Sequence, residues 1–168
     1  MNIPRHPALA AAAATGATEE EEAFFLGNTR VTFLASAAAG DGLSVIEHRM
    51  PYGESPPLHV HRTEDELFLV LEGRVRLVAA GVARILGAGD TLLVPEGTPH
   101  SFHVESPAGA RCVTVTPGGN FEAMVREMGR PATGPGLPDW TAPTAEGIFA
   151  LGRALGRHGI EVIGPPLR

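Results

Sequence analysis

The sequence contains no lysine, one cysteine and no long apolar run, and each shortage removes a class of function. Without lysine, neither Schiff-base catalysis nor a phosphate-binding lysine loop is available. Cys112 has no partner for an internal disulfide, which is compatible with a reducing compartment, and in its predicted strand it is expected to be a core residue rather than a nucleophile. No apolar run approaches the roughly 20 residues of a membrane-spanning helix. Metal, carboxylate and imidazole chemistry remain.

The charge of the chain is acidic and has no basic cluster. Its 13 basic and 19 acidic residues give a formal net charge of −6, so neither nucleic acid nor a membrane is expected as a partner. The length of 168 residues predicts a single domain with its own core. The run Ala8–Ala14 faintly resembles a secretion signal, but it is weakly hydrophobic and Glu19–Glu22 follow. We therefore predict a flexible N-terminal tail over residues 1–22 and a cytoplasmic location.

Two histidines have the spacing of a β-strand. Because side chains alternate along a strand, His59 and His61 point to the same surface, whereas a helix would need histidines four residues apart. Pro56-Pro57 just upstream also argues against a helix. The pair therefore predicts a strand that can hold one ion from one side.

A glutamate and a third histidine extend this pattern. Glu66 begins an apolar stretch, and alternation places Phe68 and Val70 on its face. His100 follows further along the chain. A single histidine in a half-buried strand is usually a hydrogen-bonded core or rim residue, but three histidines and a carboxylate facing one interior would be costly without an ion. We therefore predict one divalent transition metal per chain, and nitrogen and oxygen ligands suit Fe, Mn, Ni, Co, Cu or Zn.

The spacing around these four residues resembles the paired motifs of the cupin family. The first motif is Gly53, five residues, His59-Val60-His61, four residues, Glu66, six residues and Gly73; the second is Gly89, five residues, Pro95-Glu96-Gly97, two residues and His100. The usual final asparagine of the second motif is replaced by Val104. The resemblance implies an all-β fold, the cupin double-stranded β-helix or jelly-roll barrel, over residues 23–117. It also implies that His59, His61, Glu66 and His100 are the metal ligands.

Six other ionisable residues are predicted not to be ligands: His6, His48, Glu64, Asp65, His103 and His158. His103 lies three residues after His100 and therefore on the opposite strand face, outside the barrel. His48 either supports the site or faces solvent. Glu64 and Asp65 are interpreted as a solvated loop edge.

Strands and helices follow from the periodicity of the apolar residues. The predicted strands are 24–36, 43–50, 66–71, 74–80, 82–86, 91–94 and 110–116. A first helix has apolar residues at helical spacing, with Asn120 as its N-cap: Phe121, Met124, Val125 and Met128. After a Pro/Gly-rich linker, a second helix over 144–157 would place Ile148, Leu151 and Leu155 on one face. Residues 118–168 are therefore predicted to be an extension of one or two α-helices that packs on the barrel or on a dimer partner.

This C-terminal part makes the resemblance more specific, because Pro117-Gly118-Gly119 before a helix and the late segment 158–166 resemble bacterial single-barrel cupins similar to quercetin 2,3-dioxygenases. The implied function is a metal-dependent dioxygenase that acts on a phenolic or enol-bearing small molecule with O₂. Glu66 would also accept the substrate proton, with its pKa raised by apolar neighbours that form a substrate pocket: Phe68, Val70, Phe102 and Val104.

Two other functional classes remain open, and so does the assembly. The first is a redox-neutral lyase, isomerase or cyclase that uses the metal as a Lewis acid, and the second is a non-catalytic protein that binds a small molecule. A homodimer is expected, because barrels of this kind have exposed strands that natural proteins cover.

Overall fold

A computed structural model of the chain describes residues 22–39 and 42–168. The predicted tail, apart from its last residue, lies outside these ranges. The strands are β1 (Ala23–Leu26), β2 (Thr29–Ala35), β3 (Leu43–Met50), β4 (Pro57–His61), β5 (Glu66–Glu72), β6 (Arg74–Ala79), β7 (Val82–Gly87), β8 (Thr91–Val94), β9 (His100–Val104), β10 (Ala110–Pro117), β11 (Arg130–Pro131) and β12 (Ile160–Pro166). The α-helices are α1 (Asn120–Met128) and α2 (Ala145–Arg157).

The strands form two antiparallel sheets. The seven-stranded sheet has the order β11-β1-β2-β3-β10-β5-β8, and the five-stranded sheet has the order β12-β4-β9-β6-β7. Strands that are neighbours in space are thus often distant in sequence, as in a jelly roll. The predicted all-β jelly-roll fold with a C-terminal helical extension is confirmed.

The predicted first strand, residues 24–36, is two strands instead of one. Gly27 has φ +58°, a left-handed conformation that glycine adopts without strain, and it reverses the chain between β1 and β2. Leu26 pairs with Thr29 across this turn. The apolar run thus contains a tight hairpin turn that its hydrophobicity alone does not reveal.

Helix α1 covers the barrel, but its N-terminus differs from the prediction. Met124 and Val125 are buried, as the helical spacing predicts. The N-cap residue is Gly119, which provides no side-chain hydrogen bond. Asn120 lies inside the helix instead, and its Nδ2 donates to Thr63 Oγ1. The amide is used for a contact with a distant turn rather than for capping.

Helix α2 begins where the sequence predicts and packs along less of its length. The Thr144 hydroxyl caps it by accepting from the Gly147 amide. Ala154 and Leu155 are buried and Leu151 is partly buried, whereas Ile148, predicted on the same face, is 59% exposed. The buried residues of the helix thus lie in its later turns. Neither helix in the described part of the chain has the length and hydrophobicity that spanning a membrane requires.

Strand β12 was not predicted, and it positions the ligand strand. It pairs with β4, with Ile160 opposite His61 and Val162 opposite His59. On its other side, β4 pairs with β9 through His59 and His100. The C-terminal segment is therefore one of the two neighbouring strands of β4, which carries two of the histidines.

Most of the buried apolar side chains form two separate clusters. We call the first the barrel cluster: Met50, Phe68, Val70, Val75, Leu77, Leu86, Val94, Val104, Ala110 and Cys112. We call the second the helix cluster: Val31, Ile46, Met124, Val125, Ala154, Leu155 and Ile160. Burying a large apolar side chain contributes about 1.5–3 kcal/mol, so both clusters are major sources of stability.

Candidate metal centre

The four residues predicted as ligands meet inside the barrel. His59 and His61 lie on β4, Glu66 is the first residue of β5 and His100 is the first residue of β9. Each offers one ligand atom, and these atoms all lie within 4.8 Å of one another. His61, Glu66 and His100 are buried, and His59 is partly buried. The strand alternation that orients His59 and His61 alike produces this convergence.

The outward nitrogen of each histidine is held by an oxygen that does not belong to the ligand group. The Nδ1 atom of His59 is 2.7 Å from the Pro57 carbonyl oxygen, and that of His100 is 2.9 Å from the Thr98 carbonyl oxygen. For His61, the oxygen is Oε1 of Glu64, at 3.1 Å. An acceptor at Nδ1 places the hydrogen there and leaves the Nε2 lone pair for a metal ion.

The contacts of His100 test whether a metal fits this group. Its Nδ1 faces Thr98, while its Nε2 lies 3.0 Å from Oε2 of Glu66. A neutral imidazole has one hydrogen and cannot donate to both oxygens, so satisfying both needs a second proton or a cation beside Nε2. Three imidazole nitrogens and one carboxylate oxygen are a donor set that divalent first-row metals accept. The residues therefore fit a metal ion.

The pKa shifts of the two histidines on β4 have opposite directions, and only the shift of His59 favours the neutral form that binds a metal. Burial, together with the charge of His100, lowers the pKa of His59 to about 4, which keeps this imidazole neutral at pH 7. For His61, burial lowers the pKa, but the hydrogen bond to Glu64 and the charges of Glu66 and Glu64 more than offset this, and the pKa is raised.

The raised pKa predicted for Glu66 is wrong. Burial does raise it, but the hydrogen bond from His100 and the charges of His61, His100 and His59 outweigh burial and lower the pKa to about 2. Oε2 of Glu66 lies 3.0 Å from Nε2 of His100 and 3.6 Å from Nε2 of His61, and the combined effect of the imidazoles outweighs that of burial. Glu66 is therefore ionised at neutral pH, as a metal ligand must be.

Glu64 is the residue whose role sequence reasoning missed. Instead of lining a solvated loop edge, its side chain is buried, with 2% of the residue exposed. Oε1 accepts from His61 Nδ1 and from the backbone amide of Phe121, each at 3.1 Å. The only sequence signal was an acidic residue three positions after a ligand, which is indistinguishable from a surface turn. Asp65 is partly buried and accepts a hydrogen bond from the Glu96 amide.

His48 lies next to the ligands without joining them. It is buried rather than solvent-facing, and its Nε2 is 2.9 Å from Oγ1 of Thr114. Burial lowers its pKa to about 4, so the ring is neutral. The Phe121 ring stacks on His48 at 5.8 Å and lies 6.0 Å from the His61 ring. Phe121 thus links His48 to the ligand group.

The remaining histidines lie apart from the ligands where the structure describes them. His103 pairs with Arg76 and contacts the Tyr52 ring, while the alternate position, Phe102, pairs with buried Leu77. His158 contacts Glu127 at the surface. His6 lies outside the described residues.

The four predicted pocket residues pack in or against the barrel cluster. Phe68, Val70 and Val104 are buried, and Phe102 is partly buried. Phe68 also lies 6.1 Å from the His100 ring in an edge-on contact. Their use as a substrate pocket stays a prediction. Val104, in the place of the family's asparagine, has apolar neighbours and no exposed surface, so an unpaired amide would be costly there.

Cys112 is a buried member of the barrel cluster, as predicted. Burial is the main cause that raises the pKa of its thiol to about 12. The thiolate is the nucleophilic form, so this cysteine is not a candidate nucleophile at neutral pH.

Comparison with known proteins supports the resemblance that the two sequence motifs indicate. Residues 46–116 match the cupin domain model. The chain is 33% identical over 113 residues to quercetin 2,3-dioxygenase from Bacillus subtilis, an alignment that covers 67% of this chain and 33% of that protein. The chain therefore spans about a third of the length of this relative.

Two solved structures share the fold at low identity. A predicted oxalate decarboxylase from Thermotoga maritima has a TM-score of 0.54 at 21% identity, covering 60% of this chain and 96% of that chain. A sugar phosphate isomerase from Silicibacter pomeroyi has a TM-score of 0.53 at 21% identity, covering 60% of this chain and 73% of that chain. Residues 46–116 are therefore a cupin domain, and the predicted resemblance to the cupin superfamily is confirmed.

Proposed function

We propose that the protein is a metal-dependent dioxygenase that acts on a phenolic or other enol-bearing small molecule. The observation that carries this proposal is the convergence of His59, His61, Glu66 and His100, whose ligand atoms lie within 4.8 Å of one another. The similarity to the Bacillus subtilis protein named quercetin 2,3-dioxygenase supports the reaction class.

The ligand set suits a substrate that binds as an anion. When bound, a divalent transition metal supplies Lewis acidity and open coordination positions for a substrate oxygen and O₂. His59 contributes a neutral ring, and Glu66 contributes one negative charge, so the ligands do not cancel the charge of a divalent ion. This favours an enol or phenol in its deprotonated form.

Apolar side chains flank the ligands on two sides. The Phe68 ring lies 6.1 Å from the His100 ring, and the Phe121 ring lies 6.0 Å from the His61 ring. These rings lower the local polarity, which strengthens the interaction between charged groups in the site.

Glu66 is the group proposed to take the proton of the substrate hydroxyl. Because its pKa is lowered to about 2, it is a weak base and can accept a proton only from a hydroxyl whose own acidity is raised in the site. At full metal loading, we expect Glu66→Gln to lower turnover by about 10²–10⁴, the usual effect of losing a general base. Turnover within a few-fold of wild type would leave Glu66 as a ligand alone.

Metal content tests the centre itself. Elemental analysis of purified protein should find about one divalent metal ion per chain, and His61→Ala should lose it because a ligand is removed. The matched control is His103→Ala, which removes a histidine that pairs with Arg76 on the other face of β9. Equal metal content in wild type, His61→Ala and His103→Ala would refute the site.

Oxygen uptake tests the reaction. Metal-loaded protein and a panel of phenols and enols should consume one O₂ for each substrate converted. Conversion without O₂ uptake would favour a redox-neutral lyase, isomerase or cyclase. Substrate binding without conversion would favour a non-catalytic binding protein.

The homodimer also stays a prediction. Light scattering at micromolar concentration should give twice the 17.5 kDa mass of the chain, and the monomer mass would refute it.

A further inference from the structure

The three histidines of the centre are held in two different ways. His59 and His100 each point Nδ1 at a main-chain carbonyl oxygen two residues earlier, which their own chain segment supplies. His61 instead points Nδ1 at the carboxylate of Glu64. A carboxylate is a stronger acceptor than a carbonyl and makes the imidazole a better electron donor to a metal. Of the three histidines, His61 is thus the one whose Nδ1 contact is a side chain rather than the main chain.

Glu64 is also bound to the C-terminal extension. The same oxygen that accepts from His61 accepts from the backbone amide of Phe121. That amide lies in the first turn of α1, where amides have no acceptor within the helix. Gly119 at the N-cap supplies no side-chain acceptor, so Glu64 takes that function and places its charge at the positive end of the helix.

The turn that carries Glu64 is held by the extension at further points. The Arg62 amide donates to the Gly159 carbonyl oxygen at 2.8 Å, and Asn120 Nδ2 donates to Thr63 Oγ1 at 2.7 Å. Gly159 approaches Thr63 so closely that an added Cβ would lie 3.1 Å from Oγ1. Both ends of the extension, α1 and the residue before β12, therefore fix this turn.

The second carboxylate oxygen of Glu64 lowers the stability of the folded protein. Oε2 is buried and has no hydrogen-bond partner among the residues that the structure describes. A buried carboxylate with one unpaired oxygen opposes folding, so an apolar residue would serve stability better. Its two hydrogen bonds to His61 and Phe121 account for a carboxylate at this position.

We propose that Glu64 is a positioning residue, which keeps Nε2 of His61 directed at the metal and transmits to this ligand the support of the C-terminal extension. The inference rests on the proposed metal binding. According to this proposal, α1 and Glu64 raise the metal affinity of the site although neither binds the metal.

Cobalt titration of the metal-free full-length protein tests the proposal. Chelated wild type, Glu64→Ala and Glu64→Gln are titrated with Co²⁺, and binding is followed by visible absorption. Glu64→Ala should bind Co²⁺ about 10–100-fold more weakly and with an altered absorption band, the usual consequence of losing the partner of a ligand histidine. Glu64→Gln should show an intermediate loss, because its amide oxygen still accepts from Nδ1 and from the Phe121 amide.

A matched control removes an equal charge beside the same turn. Glu161 pairs with Arg62 at the surface and touches none of the ligands in these contacts, so Glu161→Gln should bind Co²⁺ as wild type does. A second measurement is amide hydrogen exchange over 118–129. Co²⁺ should slow exchange in the first turn of α1 in wild type and not in Glu64→Ala.

The outcomes separate this proposal from the proposed function. Wild type that does not bind Co²⁺ would overturn the metal centre itself. If wild type binds Co²⁺, and Glu64→Ala and Glu64→Gln bind it with the affinity and the spectrum of wild type, the positioning role would be overturned. Lower thermal stability of the metal-free variants with unchanged affinity would show helix capping alone and would also overturn it. If Glu64→Ala does not fold, unchanged affinity in Glu64→Gln decides against the proposal.

Discussion

The two apolar clusters flank the same ligands but come from different parts of the chain. The barrel cluster is built from residues between Met50 and Cys112, within the cupin domain. The helix cluster joins β2 and β3 to the two helices and β12. The first reaches the ligands through Phe68 beside His100, and the second through Phe121 beside His61. The cupin domain thus supplies every candidate ligand, while the extension supports the strand that carries His59 and His61.

Hydrogen bonds and an ion pair fix α1 beside the helix cluster. Close to the helix cluster, the buried carboxylate of Glu122 accepts hydrogen bonds from the hydroxyls of Ser36 and Ser44 and from the Ala37 amide. Arg126, one turn along α1, pairs with the same carboxylate. Apolar packing is non-directional, whereas these bonds fix the position of α1. The placement of α1 then determines where the Phe121 amide meets Glu64.

The largest expected effect comes from truncating each cluster in turn. Leu77→Ala and Met124→Ala each remove a side chain that is at most 2% exposed, and each should lower the free energy of unfolding by about 2–5 kcal/mol. Only Met124→Ala should also weaken Co²⁺ binding, because α1 carries the amide that holds Glu64. Urea unfolding and metal titration measure the two effects. Equal metal affinities in the two variants would break the distinction between the clusters.

A smaller effect concerns His48, which lies between the clusters. Its folded-state pKa of about 4 is below the ordinary 6.5, so below pH 6.5 the unfolded chain takes up a proton that the folded protein does not. Stability should fall as the pH decreases from 6.5 toward 4, with about 2 kcal/mol lost at pH 5 through this residue. In His48→Gln, thermal unfolding measured across this range should have a shallower pH dependence. Parallel curves for variant and wild type would contradict the buried neutral imidazole.

Phe121→Leu distinguishes the contribution of the Phe121 ring from that of its backbone amide. The ring contacts with His48 and His61 are lost, which should cost about 1 kcal/mol of unfolding free energy. The backbone amide still donates to Glu64, so Co²⁺ affinity should stay within a few-fold of wild type. A loss as large as that of Glu64→Ala would mean that the ring, not the amide, supports His61.

The smallest effect is expected at Cys112 in the barrel cluster. With its pKa raised to about 12, chiefly by burial, the thiol should not react with a thiol-specific reagent in native protein at pH 8. The same reagent should react fully in urea. Rapid labelling of the native protein, measured by absorbance or mass, would show that this cluster opens to solvent.

Several features of the centre were predictable because they depend on short spacings. The alternation of side chains along a strand orients His59 and His61 together, and the same rule puts Phe68 on the face of Glu66. Turn glycines mark where these strands end, as at Gly73, whose φ is +81° and where an added Cβ would lie 2.5 Å from the Gly109 carbonyl oxygen. Such rules involve neighbours in sequence and need no knowledge of the whole fold.

The features that were missed depend on residues far apart in the chain. The pKa of Glu66 is lowered by His100, 34 positions away. Glu64 is buried because Phe121, 57 positions away, donates to it. Strand β12 forms because β4 has a free edge, and a segment rich in glycine and proline gives no sign of this.

From the sequence alone, strand alternation indicates that His59, His61 and Glu66 can face one interior, and the resemblance to the cupin motifs adds His100 and the fold. These predictions rest on spacings within short segments. The tertiary structure is needed to show how these residues are charged, which oxygen each imidazole contacts, that α1 contacts Glu64 beside His61, and that β12 pairs with the strand of His59 and His61. Charge and hydrogen bonding depend on three-dimensional distance, and that distance is set by packing between segments that the sequence keeps apart.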